Sequence, residues 1–110
     1  MKNFLVLFRE PDGRNDVHTD VEITNHQQAW QQWMEKYIAE GKITGGNSLT
    51  LHGKIIKGPD GHISDSIHYV GTEIVGGFLL LKADSLDEAA HIVSSCPVYQ
   101  FGGYAEVREY

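Results

Sequence analysis

The chain has 110 residues, 41% hydrophobic and 22% charged, the proportions of one globular domain able to bury roughly two-thirds of the surface its unfolded form exposes. Its 9 Lys and Arg against 15 Asp and Glu give a net charge of -6, which repels a phosphate backbone; with no basic patch in the sequence, direct nucleic-acid binding is not expected. A single cysteine, Cys96, excludes an internal disulfide, and the apolar run from Phe4 to Phe8 is too short for a signal-peptide core or a membrane span, so a soluble cytoplasmic protein is expected.

Residues 2–8 alternate Phe4, Val6 and Phe8 with Leu5 and Leu7. Both sets are apolar, which predicts a central strand buried on both faces. A polar connection follows over residues 9–24, carrying the turn signal Pro11, Asp12, Gly13; its length suits a lid. Thr24 with Gln27 has capping-box spacing and predicts a helix start there. Trp30, Trp33, Met34, Tyr37 and Ile38 then recur at the three-and-four spacing of one helical face, up to the stop at Gly41. That stripe reads as core, with a ligand box built from the two tryptophans as the alternative.

Residues 48–57 alternate Leu49, Leu51, Gly53 and Ile55 with Thr50, His52 and Lys54, as a strand with one wetter face should. Gly58, Pro59, Asp60 and Gly61 form a tight turn, and residues 62–70 read as the returning strand of a hairpin. The next stretch, residues 74–83, organises the rest: Gly76 and Gly77 admit close backbone approach, and Phe78 to Leu81 are apolar at consecutive positions. Ser85 with Glu88 repeats the capping-box spacing at a second helix, whose buried stripe is Leu86, Ala89, Ala90 and Val93 and whose end is Cys96–Pro97. Residues 103–109 supply the last strand. The element order is the βαββαβ of a ferredoxin-like α+β fold. Two helices cover one sheet face, yet the two central strands are apolar on both, so the predicted assembly is a homodimer packed sheet to sheet as a dimeric α+β barrel.

Several of these motifs together resemble one family. They are Gly76, Gly77 and Phe78 through Lys82 and Ala83; Ser85 to Ala90; Cys96–Pro97; and Gly102 to Arg108. With Trp30, Trp33, Met34, Gly41, Lys42 and Gly46 to Leu49, the chain is similar to the YCII-related, or DGPF-domain, family of small bacterial proteins. The resemblance implies a dimeric α+β barrel of ferredoxin-like protomers. The family's naming motif, Asp-Gly-Pro-Phe followed by Ala-Glu and Lys-Glu, falls on residues 65–73, where Asp65 and Glu73 match while Ser66, Ile67, His68 and Thr72 depart from it. The resemblance also brings a His–Asp pair assigned as an active site in some members, and an association with transcription initiation in others.

An acid or base working near neutral pH is most simply a histidine oriented by a carboxylate. Six histidines are present. His26 falls in the first turn of the first helix, where exposure or a cap contact is the plain reading. His52 lies on the polar side of its strand, with Tyr104, Glu106 and Arg108 on a face that lines either a wet barrel interior or solvent. Asp65 and His68 form a candidate acid–base pair, or are hairpin surface residues. Glu73 is a motif carboxylate by resemblance and equally a surface cap or ion-pair partner. His62, Asp65 and His68 share a three-residue spacing, but a regular strand puts Asp65 on the opposite face from both histidines, so no metal site is expected. No phosphate loop or nucleophile elbow is present and no cofactor is expected. Cys96, with no base beside it, reads as a small buried hydrophobe.

The leading expectation is therefore a small molecule bound in a cleft between sheet and hairpin, with acid–base chemistry from Asp65, Glu73 and a histidine among His68, His52 and His26. The competing expectation is a non-catalytic regulatory or protein-interaction module linked to transcription initiation.

Overall fold

The long apolar stretch in the second half of the chain forms the centre of a four-stranded antiparallel sheet. The computed structural model describes residues 1–12 and 18–110. Its elements are β1 (Lys2–Pro11), α1 (Asp20–Ala39), β2 (Ile43–Ser48), β3 (Ile55–Lys57), β4 (His62–Ser64), β5 (Glu73–Ala83), α2 (Leu86–Val93), a 3-10 helix (Pro97–Phe101) and β6 (Tyr104–Glu109). The sheet order is β2-β5-β1-β6, and β3 and β4 pair as a separate two-stranded ribbon inserted between β2 and β5. With the ribbon set aside, the remaining elements run βαββαβ, the ferredoxin-like arrangement expected.

Alternation on β1 and β5 decides which side chains meet the helices. Phe4, Val6 and Phe8 are buried together with Leu79, Leu81 and Ala83, and Trp33, Ala89, Ile92, Val93, Cys96 and Val98 cover them. Phe4, Leu81 and Val6 are the largest fully buried side chains; burial of this kind stabilises by about 1.5–3 kcal/mol per residue. On the opposite face, Leu5, Leu7, Phe78 and Leu80 stay half-buried, so the central strands are apolar on both sides as their sequence requires.

One irregularity re-aims the sheet. Phe8 pairs with Gly77 and Arg9 with Val75, which leaves Gly76 without a partner on β1. Beyond this bulge the cross-strand neighbours of β5 lie close: at Gly46, with φ of +140°, any Cβ would strike the Phe78 carbonyl oxygen, and a Cβ on Gly77 would lie 2.9 Å from the carbonyl oxygen of Asn47.

Several expected boundaries change. The N-cap of α1 lies five residues before Thr24, at Thr19: its Oγ1 accepts from the Glu22 N–H at 3.1 Å, while Glu22 Oε1 accepts from the Thr19 N–H at 3.1 Å. The same helix leaves Ile38 exposed, since its last turn runs past the sheet-facing stripe. Residues 48–57 do not form one strand. β2 stops at Ser48 and Leu49 and Leu51 stay exposed, so their alternation has no core to face. The returning strand pairs only over His62–Ser64. In α2 the buried set is Ala89, Ile92 and Val93, followed by Cys96; Leu86 and Ala90 are exposed, Ala90 lying one residue further around the helix from Ala89. Ser85 does cap this helix, its hydroxyl accepting from the Glu88 N–H at 3.0 Å. Residues 13–17, at the heart of the expected lid, lie outside the described residues.

Candidate functional site

β2 hands the chain to an irregular segment, residues 49–54, that runs back over the open face of the sheet. Leu49 N–H donates to the Gly76 carbonyl at 2.8 Å, anchoring the segment on the bulge. Further along, the lack of a side chain at Gly53 admits Ile67, whose Cγ2 would stand 2.7 Å from a Cβ there. The return from β4 closes with Val70 and Glu73, each donating its N–H to the other's carbonyl at 3.0 Å. These two segments and the ends of β1 and β5 enclose a cleft of about 300 Å³. Leu49, Ile67, Val70, Ile74 and Val75 give it apolar walls. Its polar lining is Arg9, Thr50, His52, His68 and Glu73.

Three of the five candidate residues thus meet in one place. His52 and His68 stand exposed at the rim and Glu73 is half-buried. Glu73 Oε2 accepts the Tyr104 hydroxyl at 2.8 Å. That bond, more than desolvation, pushes the Tyr104 phenol above its ordinary range. Beside it, Arg9 Nη2 donates to Glu106 Oε1 at 3.2 Å. The imidazoles of His52 and His68 carry no hydrogen bond to another described residue, which leaves their nitrogens open to a guest.

The other two candidates lie elsewhere. Asp65 is exposed and ion-paired with Lys54, so the Asp65–His68 pair is not formed: the chain past Ser64 is irregular and turns the carboxylate to the surface. His26 sits on α1 under the 3-10 helix. Its Nε2 accepts the Trp30 indole N–H at 3.0 Å, and its Nδ1 lies 2.8 Å from Gln100 Oε1. The ring that satisfies both bonds is the neutral tautomer with its proton on Nδ1, donated to Gln100. It also stacks on Phe101 with centroids 4.1 Å apart. Both nitrogens are therefore occupied, Nε2 within α1 and Nδ1 in joining α1 to the 3-10 helix.

Arg9 was not legible as a site residue. It follows an apolar strand run like any chain-end charge, and it continues the alternation of Leu5 and Leu7 on β1 to line the cleft. Cys96 is 3% exposed, and burial pushes its thiol up, the opposite of an activated nucleophile. Among the described residues, no group of three or more His, Cys, Asp or Glu side chains stands where it could hold a metal ion, and no helix is long and apolar enough to cross a membrane.

The sheet order and two covering helices define a ferredoxin-like α+β protein with an inserted ribbon. The model of the YCII-related domain matches residues 11–109, and the chain belongs to that family. Among solved structures it is similar to 5-chloro-2-hydroxyhydroquinone dehydrochlorinase (TftG) from Burkholderia phenoliruptrix AC1100, in complex with 2,5-dihydroxybenzoquinone. The two share 22% identity and a TM-score of 0.58, over 98% of this chain and 92% of that one, a likeness of fold. No curated protein matches the chain.

Proposed function

We propose that the cleft between the open sheet face and the segments flanking the ribbon binds a small ring compound carrying oxygen functions. His52 and His68 exchange protons with it, and Arg9 and Glu73 orient its polar groups. The observation that carries this reading is the meeting of His52, His68, Glu73 and Arg9 against apolar walls in about 300 Å³, a volume at the small end for ligand sites. The two roles divide by chemistry. Arg9 keeps donors beyond its bond to Glu106 and suits a carbonyl or oxyanion, whereas a free imidazole both takes and returns a proton near neutral pH. The bound ligand named for the dehydrochlorinase, a dihydroxylated quinone, has this character and supports the reading.

The same reading includes a homodimer. Leu5, Leu7, Phe78 and Leu80 form an apolar stripe on the face that also carries the cleft, and a second sheet laid on it would remove that stripe from water and roof the site. Light scattering coupled to size-exclusion chromatography should give twice the monomer mass, and Leu7→Glu should halve it.

Calorimetric titration with 2,5-dihydroxybenzoquinone tests the site. The wild type should bind, the double variant His52→Ala, His68→Ala should bind at least about tenfold more weakly, and Asp65→Asn should bind as the wild type does. Equal affinity of the double variant would remove the histidines from the site. The competing reading, a non-catalytic interaction module, rests on the ribbon, where Ile56 and Ile63 pair across the strands with 64% and 58% of their surfaces exposed. Absence of binding, together with capture of a protein partner lost on Ile56→Asp, would favour it.

A further inference from the structure

The helix-covered side of the sheet holds a second cleft, of about 380 Å³, walled by Phe8, Trp30, Met34 and Val98 over a floor that includes Gly46 and Gly77. Glu10 is the one charged residue in its lining. The sheet bulge puts it there. Because Phe8 pairs with Gly77 and Arg9 with Val75, Gly76 is skipped, and the Glu10 carboxylate occupies the space over Gly76 that any Cβ would fill. The carboxylate is half-buried, and no described residue donates a hydrogen bond to it. Burial pushes its pKa up.

A partly desolvated carboxylate to which no described residue donates is a costly arrangement, and apart from Asn47 and Ser48 the lining residues present it only carbon, aromatic faces and glycine backbone. Three kinds of guest can be compared on that basis. An anion meets a like charge and no Lys or Arg among the lining residues. A neutral apolar guest strips water from Glu10 and returns nothing. An ammonium supplies charge-assisted hydrogen bonds to Glu10 while its frame lies on Trp30 and Phe8, whose ring faces are attractive to cations. The net charge of -6 also draws cations toward the protein. Trp30 is held ready for this contact: its indole N–H is fixed on His26 Nε2 at 3.0 Å, and its ring meets Phe8 edge to face at 5.2 Å.

We propose that this second cleft is a binding site for a small organic ammonium, with the charged nitrogen on the Glu10 carboxylate and an aromatic or aliphatic frame against Phe8, Trp30 and Met34. The site is separate from the cleft that holds His52, His68 and Glu73, and the two share no lining residue.

The test uses three guests on one frame: phenethylammonium, 2-phenylethanol and phenylacetate, titrated into the intact protein with the indole N–H signals of Trp30 and Trp33 followed by NMR. The ammonium should move the Trp30 signal saturably and bind at least about tenfold more tightly than the alcohol, with phenylacetate weakest. Glu10→Gln, nearly isosteric, should keep the melting profile and abolish the preference for ammonium over alcohol. Gly76→Ala, which leaves Glu10 in the sequence but displaces its carboxylate, should weaken ammonium binding as well. Equal binding of ammonium and alcohol by the wild type, undiminished ammonium binding by folded Glu10→Gln, or ammonium shifts confined to His52 and His68 would each overturn the proposal.

Discussion

Tyr104 donates its hydroxyl to Oε2 of Glu73 at 2.8 Å, tying the start of β6 to the start of β5 across the intervening β1. The bond holds the Glu73 carboxylate at the mouth of the cleft and sets it beside Arg9, whose own partner is Glu106. Four residues from three strands are thereby fixed at one end of the sheet.

The phenol is the readable end of this arrangement. Its raised pKa comes first from the hydrogen bond to Glu73, so Glu73→Gln should bring Tyr104 ionisation back toward the ordinary tyrosine value in an ultraviolet pH titration. For stability the sign follows from a folded pKa above the unfolded one. The contribution is complete below about pH 10, the ordinary phenol value, and is lost as pH climbs through the raised value. Tyr104→Phe should therefore match the wild type in stability at strongly alkaline pH and fall below it at neutral pH. A Tyr104 ionisation unchanged by Glu73→Gln would contradict the coupling.

A second pair joins the sheet to α2. Lys42 Nζ lies 2.7 Å from Glu88 Oε1, which lowers the Glu88 pKa and raises that of Lys42, in each case chiefly through the hydrogen bond itself. The contribution of Glu88 is present above its ordinary 4.5 and lost as pH falls through the lowered value. That of Lys42 is present below its ordinary 10.5 and lost as pH rises through the raised value. Thermal melts of Glu88→Gln should thus lie below the wild type between these limits and converge with it in strong acid. A gap that persists unchanged in acid would assign the loss to something other than the ion pair.

The start of α1 gives a test by contrast. Thr19→Ala removes the observed cap and should cost about 0.5–2 kcal/mol in denaturant unfolding. Thr24→Ala changes an exposed interior helix position and should leave stability unchanged or slightly raised. The reverse order would place the helix start at Thr24.

That contrast also marks where the sequence is ambiguous. Both Thr19 with Glu22 and Thr24 with Gln27 have capping-box spacing, and nothing local separates them. The central strands are different: a run such as Phe78 to Leu81 has to be covered on both faces, so β5, its antiparallel neighbour β1 and the ferredoxin-like order are all readable. Leu49 to Ile55 alternates just as cleanly but finds no core, and it becomes the irregular wall of the cleft instead. Of the candidate residues, His52, His68 and Glu73 converge because the segments on either side of the ribbon meet at the ends of β1 and β5. Asp65 and His26 have equally suitable chemistry and are taken by Lys54 on one side and by Trp30 and Gln100 on the other. Glu10 over Gly76 depends on a bulge between positions distant in sequence, and no periodicity announces it.

The central claim is that ligand chemistry belongs to the cleft holding His52, His68 and Glu73. The most direct measurement follows the ring signals of the six histidines by NMR during titration with 2,5-dihydroxybenzoquinone. The account predicts that His52 and His68 shift together and saturate together while His26 and His91 stay fixed. Shifts at His26 with His52 and His68 unmoved would contradict it.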